Sequence, residues 1–386
     1  MAATATAPSP QQAAQINAAQ RQLVLASSTN FWQQVQSQTP QGTIPGQVLN
    51  FQPRYVGLTK KFWLEVTLTL AQAAAETFTR TALGPANLIS QIVVTDTNNI
   101  QRIVTPGWHA HMIASAKQRA PFGCAYTTDS PVGFGSNWNV IKAASSITTA
   151  SVIRMIYEIP MCYSDQNLAG ALFTNLVNAT MNIQVTLNPN IVAATGADAT
   201  LSAYQSSTAS LGTVSACTVN LYQNYLYGLP QDSKGNFILP SQDLSTVYYL
   251  NGTSVTGMSA GLDFGMNYVN YRSFLSTCAI YDNAGVLNVG TDINYWAIAQ
   301  ANSTQYVKFT PEMVALGARL IFGDDPPNGM YYFDHRNAPI RTVQQGNTQL
   351  VLNPITVTNS TSVVLLGYES TGSAALVSTG GSFPAG

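Results

Sequence analysis

The sequence predicts an all-β chain that folds as two sandwich or barrel domains in tandem. Three observations carry this expectation. Apolar and polar side chains alternate with a period of two, short strand-like runs are separated by Gly, Pro and Asn, and a strands–helix–strands order occurs twice. The alternation is clearest in KFWLEVTLTL. There Phe62, Leu64, Val66, Leu68 and Leu70 share one face, and Trp63, Glu65, Thr67 and Thr69 share the other. That is the pattern of a half-buried antiparallel strand. QIVVTD, SVIRMIYEIP, MNIQVTL and CTVNLYQNYLY continue the series; LDFGMNYVNY, SFLSTCAIYD, INYWAIA, GMYYFDHR, TQLVLNP and SVVLLGYE form a second one.

One helix is expected inside each series. The first spans 165–177, with Leu168, Leu172 and Leu176 at i, i+4 spacing and Ser164 or Asp165 as cap. The second begins with Thr310 as N-cap and Pro311 in the first turn, where Glu312 favours the dipole, and stops at Gly323 before Pro326 and Pro327. Strands resume after each helix and end near Tyr227 and Tyr368. Pro and Gly cluster in GLPQDSKGNFILP, so the expected division is an arm over 1–50, a first domain over 51–235, and a linker and second domain over 236–386. IVAATGADATLSAYQSSTASLGTVSA reads as a long surface loop of the first domain.

The arm is rich in Ala and Gln, and Arg21 is its only charged residue. A helix over 11–36 would place Ile16, Leu23, Val24, Phe31 and Val35 in one apolar stripe, with Leu25 and Trp32 outside it. SSTN at 27–30 is a potential break, and a mobile tail is the alternative. These five apolar residues and Arg21 are the candidate contacts to neighbouring molecules.

Composition narrows the function. The chain is 46% hydrophobic but only 9% charged, against roughly 25% charged in ordinary soluble proteins. Its polarity comes from Gln, Asn, Ser and Thr, a neutral surface suited to contact with many neighbours, because a buried interface charge must be desolvated or paired. Secreted adhesins and sugar-binding proteins share this texture. A net charge of −1 argues against a coat that meets phosphates directly. No run approaches the roughly 18 apolar residues of a membrane span. MAATATAPSPQQAAQ lacks the basic start and apolar run of a secretory signal, so folding inside a cell is expected. Cys124, Cys162, Cys217 and Cys278 have no CxxC spacing and are expected as reduced core thiols.

Two patterns suggest chemistry. His109 and His111 in TPGWHAHMI would share a face on a strand, and with His335 they could supply three zinc ligands. The trio is split between the two domains, however, and no carboxylate is spaced to orient the pair. Hydrogen bonding at a strand end beside Trp108 is the expected role. GMSAG at 257–261 matches a nucleophile elbow around Ser259, but a loop precedes it and a strand-like run follows, where the elbow needs strand then helix. No catalytic residue, metal ligand or cofactor is therefore assigned.

GPANL, GWHAH, AKQRAPF, TDSP, ILPSQDLSTVYYL, YRSFLSTCAIYDNAG, GTDINY, GMYYFDHRNAPI, VLNP and LLGYE stand in this order from residue 84 to residue 369. Together they resemble the double-jelly-roll major capsid proteins of tectiviruses, bacterial viruses with an internal membrane, and the collinearity extends over roughly residues 55–369. The resemblance implies two eight-stranded jelly rolls, each with a short inserted helix, preceded by the helical arm. It also implies homotrimers that tile an icosahedral virion shell around a membrane enclosing double-stranded DNA. The partners would be neighbouring trimers, minor capsid, vertex and membrane-associated proteins, and the membrane surface, with no direct nucleic-acid contact. Synthesis would take place in the bacterial cytoplasm. Two other classes stay open: a spike or carbohydrate-binding β-sandwich protein, and a cupin-type metal-dependent enzyme.

Overall fold

The strand Leu58–Ala71 is the spine of the first half, and its alternation sets the layer it builds. Phe62, Leu64, Val66, Leu68 and Leu70 are at most 1% exposed. Leu64 lies between Leu221 and Tyr157, and Val66 between Val219 and Met155, so three strands turn one apolar face inward. The computed structural model describes residues 9–72, 76–120, 140–165, 167–176, 180–240, 247–251, 255–269, 272–283, 287, 292–300, 307–337, 339–342, 348–355, 357 and 362–372.

The spine sheet runs Thr29–Gln38, Thr213–Tyr227, Leu58–Ala71, Ser151–Pro160 and Val140–Lys142. A second sheet belongs to both halves. Its first-half strands are Val48–Phe51, Asn182–Leu187, Ile89–Thr95 and Gln101–Thr105; it continues through Val247–Asn251, Ser362–Gly372, Arg272–Asn283 and Met330–Asp334. The crossing is parallel, with Tyr249 opposite Ile103 and Leu250 opposite Val104. A further sheet of the second half joins Phe264–Asn267, Thr348–Pro354, Ile293–Gln300 and Val307–Phe309. The larger apolar core is centred on the first half and runs on into the second through Tyr249, Cys278, Ile280, Phe322, Met330 and Tyr332, while a separate second-half core is built around the fully buried Trp296 with Phe274, Tyr281 and Tyr331.

Three helices accompany the strands among the described residues: α1 (Pro10–Ser27), α2 (Gly107–Gln118) and α3 (Pro311–Phe322). The expected second-half helix is α3, with Thr310 accepting from the Met313 amide and Gly323 closing it at φ 72°. Among the described residues of 165–177, which are 165 and 167–176, the expected first-half helix does not form. Ser164 Oγ accepts from Asn167 N at 3.0 Å and Asn167 Oδ1 from Ala169 N at 3.1 Å, while Gly170 takes φ 89°. These local turns outcompete helix formation. Leu168 and Leu172 are still buried, and Leu172–Phe173 pairs with Leu58–Thr59. The first-half helix is α2 instead.

The segment 190–215, expected as surface loop, is partly interior. Tyr204 is fully buried and donates its hydroxyl to Ala144 O at 3.0 Å. Cys162, Cys217 and Cys278 are free and buried, as expected; Cys124 lies outside the described residues.

Candidate functional site at the junction of the two halves

The arm begins with a capping box: Ser9 Oγ accepts from Gln12 N, and Gln12 Oε1 accepts from Ser9 N. The helix ends at Ser27, short of the expected 36. Residues 29–38 form a strand because Thr29, Phe31, Trp32 and Val35 suit extended backbone and a long antiparallel ladder to residues 219–227 is available. The candidate stripe is therefore divided. Val24 is fully buried against Leu58, Leu168 and Leu226, with Leu25 packed beside it. Asn17 is also buried, so the packed face is turned away from Ile16 and Leu23, which are 48% and 43% exposed. Phe31 lies on the strand, 6.0 Å from the ring of Tyr225 and 5.9 Å from that of Tyr227. Val35 packs against the first core. Arg21 lines a groove together with Lys117, Arg119, Leu320 and Arg336.

The histidine pair is on α2, not on a strand. Pro106 precedes the helix in extended conformation, and the Ala-rich run after it favours helix. Two residues of helix rotate about 200°, so His109 and His111 point in different directions. Both are fully buried. His109 Nδ1 is 2.5 Å from Thr105 Oγ1, and its ring fills the space beside Gly367. A Cβ at 367 would come within 2.4 Å of the ring, which accounts for glycine there. Desolvation pulls the His109 pKa down to about 3 against the opposing pull of Glu369, so the ring is neutral. His335 is neutral for the same reason, its pKa lowered to about 4, with Nε2 3.5 Å from Thr277 Oγ1. Among the described residues no three His, Cys, Asp or Glu side chains converge for a metal. Ser259 sits in a turn followed by the strand Phe264–Asn267, which is the wrong context for an elbow nucleophile.

The histidine motif lies at the junction, with the His109 ring of the first half packed against Gly367 of the second. Immediately beside it is a buried ionic joint that the residue patterns did not single out. Glu369, wholly buried on the second-half strand Ser362–Gly372, meets Lys117 Nζ of α2 at 2.9 Å and Arg336 of the second half at 3.1 Å. Ser276 Oγ donates to the same carboxylate at 3.2 Å. Lys117 also donates to Tyr249 OH at 2.8 Å and to Cys162 O at 2.9 Å. Its ammonium lies over the rings of Tyr249 and Tyr163. Desolvation alone would raise the Glu369 pKa; the two cations override it and hold the carboxyl at about 2. Burial lowers the Lys117 pKa and Glu369 opposes that shift. A signal for this joint was present in the sequence: an isolated Glu or Lys in an apolar setting of a chain with 9% charged residues.

This geometry defines a structural protein, two jelly rolls joined through one continuous sheet and a desolvated ionic joint. Its N-terminal region, residues 1–229, matches the family described as P3 major capsid protein N-terminal, and residues 245–382 match P3 major capsid protein C-terminal. The chain is 37% identical over 366 residues to major capsid protein P3 of Enterobacteria phage PRD1, covering 93% of this chain and 91% of that relative. The chain belongs to the P3 major capsid protein family; it is a shell protein of the virion and not an enzyme. The fold is similar to a chain of the Sulfolobus Turreted Icosahedral Virus structure, with a TM-score of 0.62 at 11% identity over 89% of this chain and 91% of that one. PBCV-1 VP54, fitted into a reconstruction of the virophage Sputnik, gives 0.59 at 9% identity over 89% and 93%.

Proposed function

We propose that this capsid protein works as a homotrimer whose six jelly rolls form one pseudo-hexagonal tile of a shell around an internal membrane enclosing double-stranded DNA. The observation that carries the reading is the joint. Lys117 of the first jelly roll bonds to Glu369 of the second, which Arg336 holds in place, and so ties the two jelly rolls of each chain into one stiff pair of columns; three such pairs make a six-column unit that packs a plane nearly without gaps. On this reading residues 1–50 are an arm, 51–235 the first jelly roll, and 236–386 the linker and second jelly roll. The arm contacts the membrane surface or neighbouring trimers through Ile16 and Leu23, which point away from the body. Minor capsid, vertex and membrane-associated proteins are the remaining partners, and the nearly neutral chain does not touch nucleic acid directly.

The arm is tested by an Ile16→Asp, Leu23→Asp double variant in place of a deletion, since removing residues 29–38 would strip an edge strand from the first jelly roll. The expected result is a folded trimer by native mass spectrometry with impaired assembly of lipid-containing particles by electron microscopy. Particles of normal yield and lipid content would show that this face of the arm has no assembly role.

A further inference from the structure

The described residues include four tryptophans. Trp108 and Trp296 are core residues. Trp32 and Trp63 are stacked on each other at 3.5 Å on the outer face of the spine sheet, with Trp32 still 42% exposed. They line one side of a groove of about 590 Å³ that is completed by Gln33, Gln34, Tyr222 and Arg154. Trp, Tyr and Arg are the residue types that dominate binding energy at protein interfaces.

The charges in and around this groove are already matched. Arg154 is bound to Glu65, whose other oxygen accepts from Asn220 and Tyr222 at 2.9 Å each. Lys61 pairs with Glu158 and Asp165, and Trp63 Nε1 donates to Glu158 at 2.9 Å. A phosphate, nucleic acid or anionic headgroup would find no free cation here, and a metal ion would find no free carboxylate. The groove suits a neutral surface carrying apolar and amide groups.

Its position selects the kind of neutral partner. Trp32 belongs to Thr29–Gln38, which is the edge strand of its sheet. Its ten residues include no charge and no proline, two of the usual protections of an exposed edge, although a register shift interrupts its pairing between Gln34 and Gln36. A backbone edge free of charge and proline next to an aromatic groove fits a polypeptide better than a sugar. A chain with 16 basic and 17 acidic residues in 386 is itself such a neutral polypeptide.

We infer that the Trp32–Trp63 groove and the adjoining edge strand are the docking surface for a second copy of this chain. The other described tryptophan of the second half, Trp296, is fully buried, so the second jelly roll shows no equivalent stack. In a trimer the contact joins this surface to a different one on the neighbouring copy, a heterologous contact that closes into a ring when the rotation between copies closes. The inference rests on the homotrimer reading and names one face of its contact.

The test compares the full-length chain with Trp32→Ala and Gln34→Glu by native mass spectrometry and sedimentation velocity over a dilution series. Thermal unfolding and hydrogen exchange of residues 29–38 are followed in parallel. Trp32 and Gln34 are exposed, so both variants should fold. The expected result is a trimer for the parent chain and, for each variant, at least about a thirtyfold rise in the concentration at which it dissociates, the size of one interface hot spot. The outward-facing amides of 29–38, those not bonded to residues 219–227, should be protected in the parent and exchange fast in dissociated variants. A monomeric parent chain would overturn the trimer reading and this inference with it. A trimeric parent with variants of equal affinity would overturn the inference alone. So would trimers of unchanged affinity that lose retention on a glycan array, which would assign the groove to a sugar.

Discussion

Replacing Lys117 by Met should destabilise the protein severely although the shape of the side chain is nearly kept. The ammonium and the Glu369 carboxylate are 2.9 Å apart and both side chains are at most 8% exposed. At an effective dielectric of about 20, that separation corresponds to an attraction of about 6 kcal/mol, before the cost of desolvating the ions. A second measure comes from the carboxyl itself. Its pKa is held at about 2 instead of 4.5, which corresponds to roughly 3 kcal/mol in favour of the ionised form. Both are consistent with the 3–5 kcal/mol typically lost when one partner of a buried pair is removed, because the other charge remains buried. At about 2–4 °C per kcal/mol for domains of 150–250 residues, Lys117→Met should lower the melting temperature by roughly 6–20 °C. Calorimetry at neutral pH measures this directly. Limited proteolysis should at the same time open the chain between residues 228 and 240, where the jelly rolls separate. A loss below about 1 kcal/mol, with unchanged proteolysis, would refute the argument that this ion pair fastens the two halves.

Two further predictions involve the same junction. Stability should fall on acidification in two stages. His109 and His335, with folded pKa values lowered from 6.5 to about 3 and about 4, contribute stability that is complete above pH 6.5 and is lost progressively below it. Glu369, lowered from 4.5 to about 2, adds a loss that begins near pH 4.5. Unfolding followed against pH should show uptake of up to about two protons between pH 6.5 and 4.5 and a steeper fall below; a flat profile from pH 7 to 5 would contradict the buried neutral histidines. Gly367→Ala should cost about 1–3 kcal/mol or more by pushing a methyl into the His109 ring. Pairing it with His109→Ala should return part of that loss in a double-mutant cycle, and strict additivity would show that the two sites do not touch.

Much of the fold was legible because apolar periodicity is a local property. The Leu58–Ala71 face, the second-half strands and α3 with its Thr310 and Gly323 caps all follow from spacing and capping chemistry. The failures have identifiable physical causes. Leu168, Leu172 and Leu176 satisfy helical spacing, yet Asn167 and Gly170 close turns that the periodicity does not register. The arm reads as helix to residue 36, but pairing with residues 219–227 supplies ladder bonds that no local pattern announces. The alternating histidines of TPGWHAHMI suggest a strand, yet an extended Pro106 followed by an Ala-rich run starts a helix. The arm contacts were half legible. Val24 is interior and Ile16 and Leu23 are outward, because the helix presents a different face from the one that spacing alone selects, and Val35 is partly buried from the strand that follows the helix.

The joint was hidden for a different reason: its members are distant in sequence and each is unremarkable alone. Lys117 comes from AKQRAPF, Tyr249 from ILPSQDLSTVYYL, Ser276 from YRSFLSTCAIYDNAG, Arg336 from GMYYFDHRNAPI, and Gly367 and Glu369 from LLGYE with its flanking strand. His109 belongs to GWHAH. These are stretches on which the capsid-protein resemblance was read, and the fold brings them to one place. The chemistry explains why they act as a set. A carboxylate with no solvent must find Lys117, Arg336 and Ser276 at once, at 2.9, 3.1 and 3.2 Å, and Lys117 must in turn find Tyr249 and Cys162. An apolar contact of the same area would tolerate sliding, since hydrophobic burial is non-directional. Directional bonds to one buried charge hold only in a narrow range of inter-barrel geometry, while among the described residues direct strand pairing across the junction joins Tyr249 and Leu250 to Ile103 and Val104. In a chain this poor in charge, the buried Lys117–Glu369 pair adds a directional constraint to the shared sheet and the shared apolar core, and so narrows the relative placement of the two jelly rolls, the property a repeating shell subunit must reproduce in every copy.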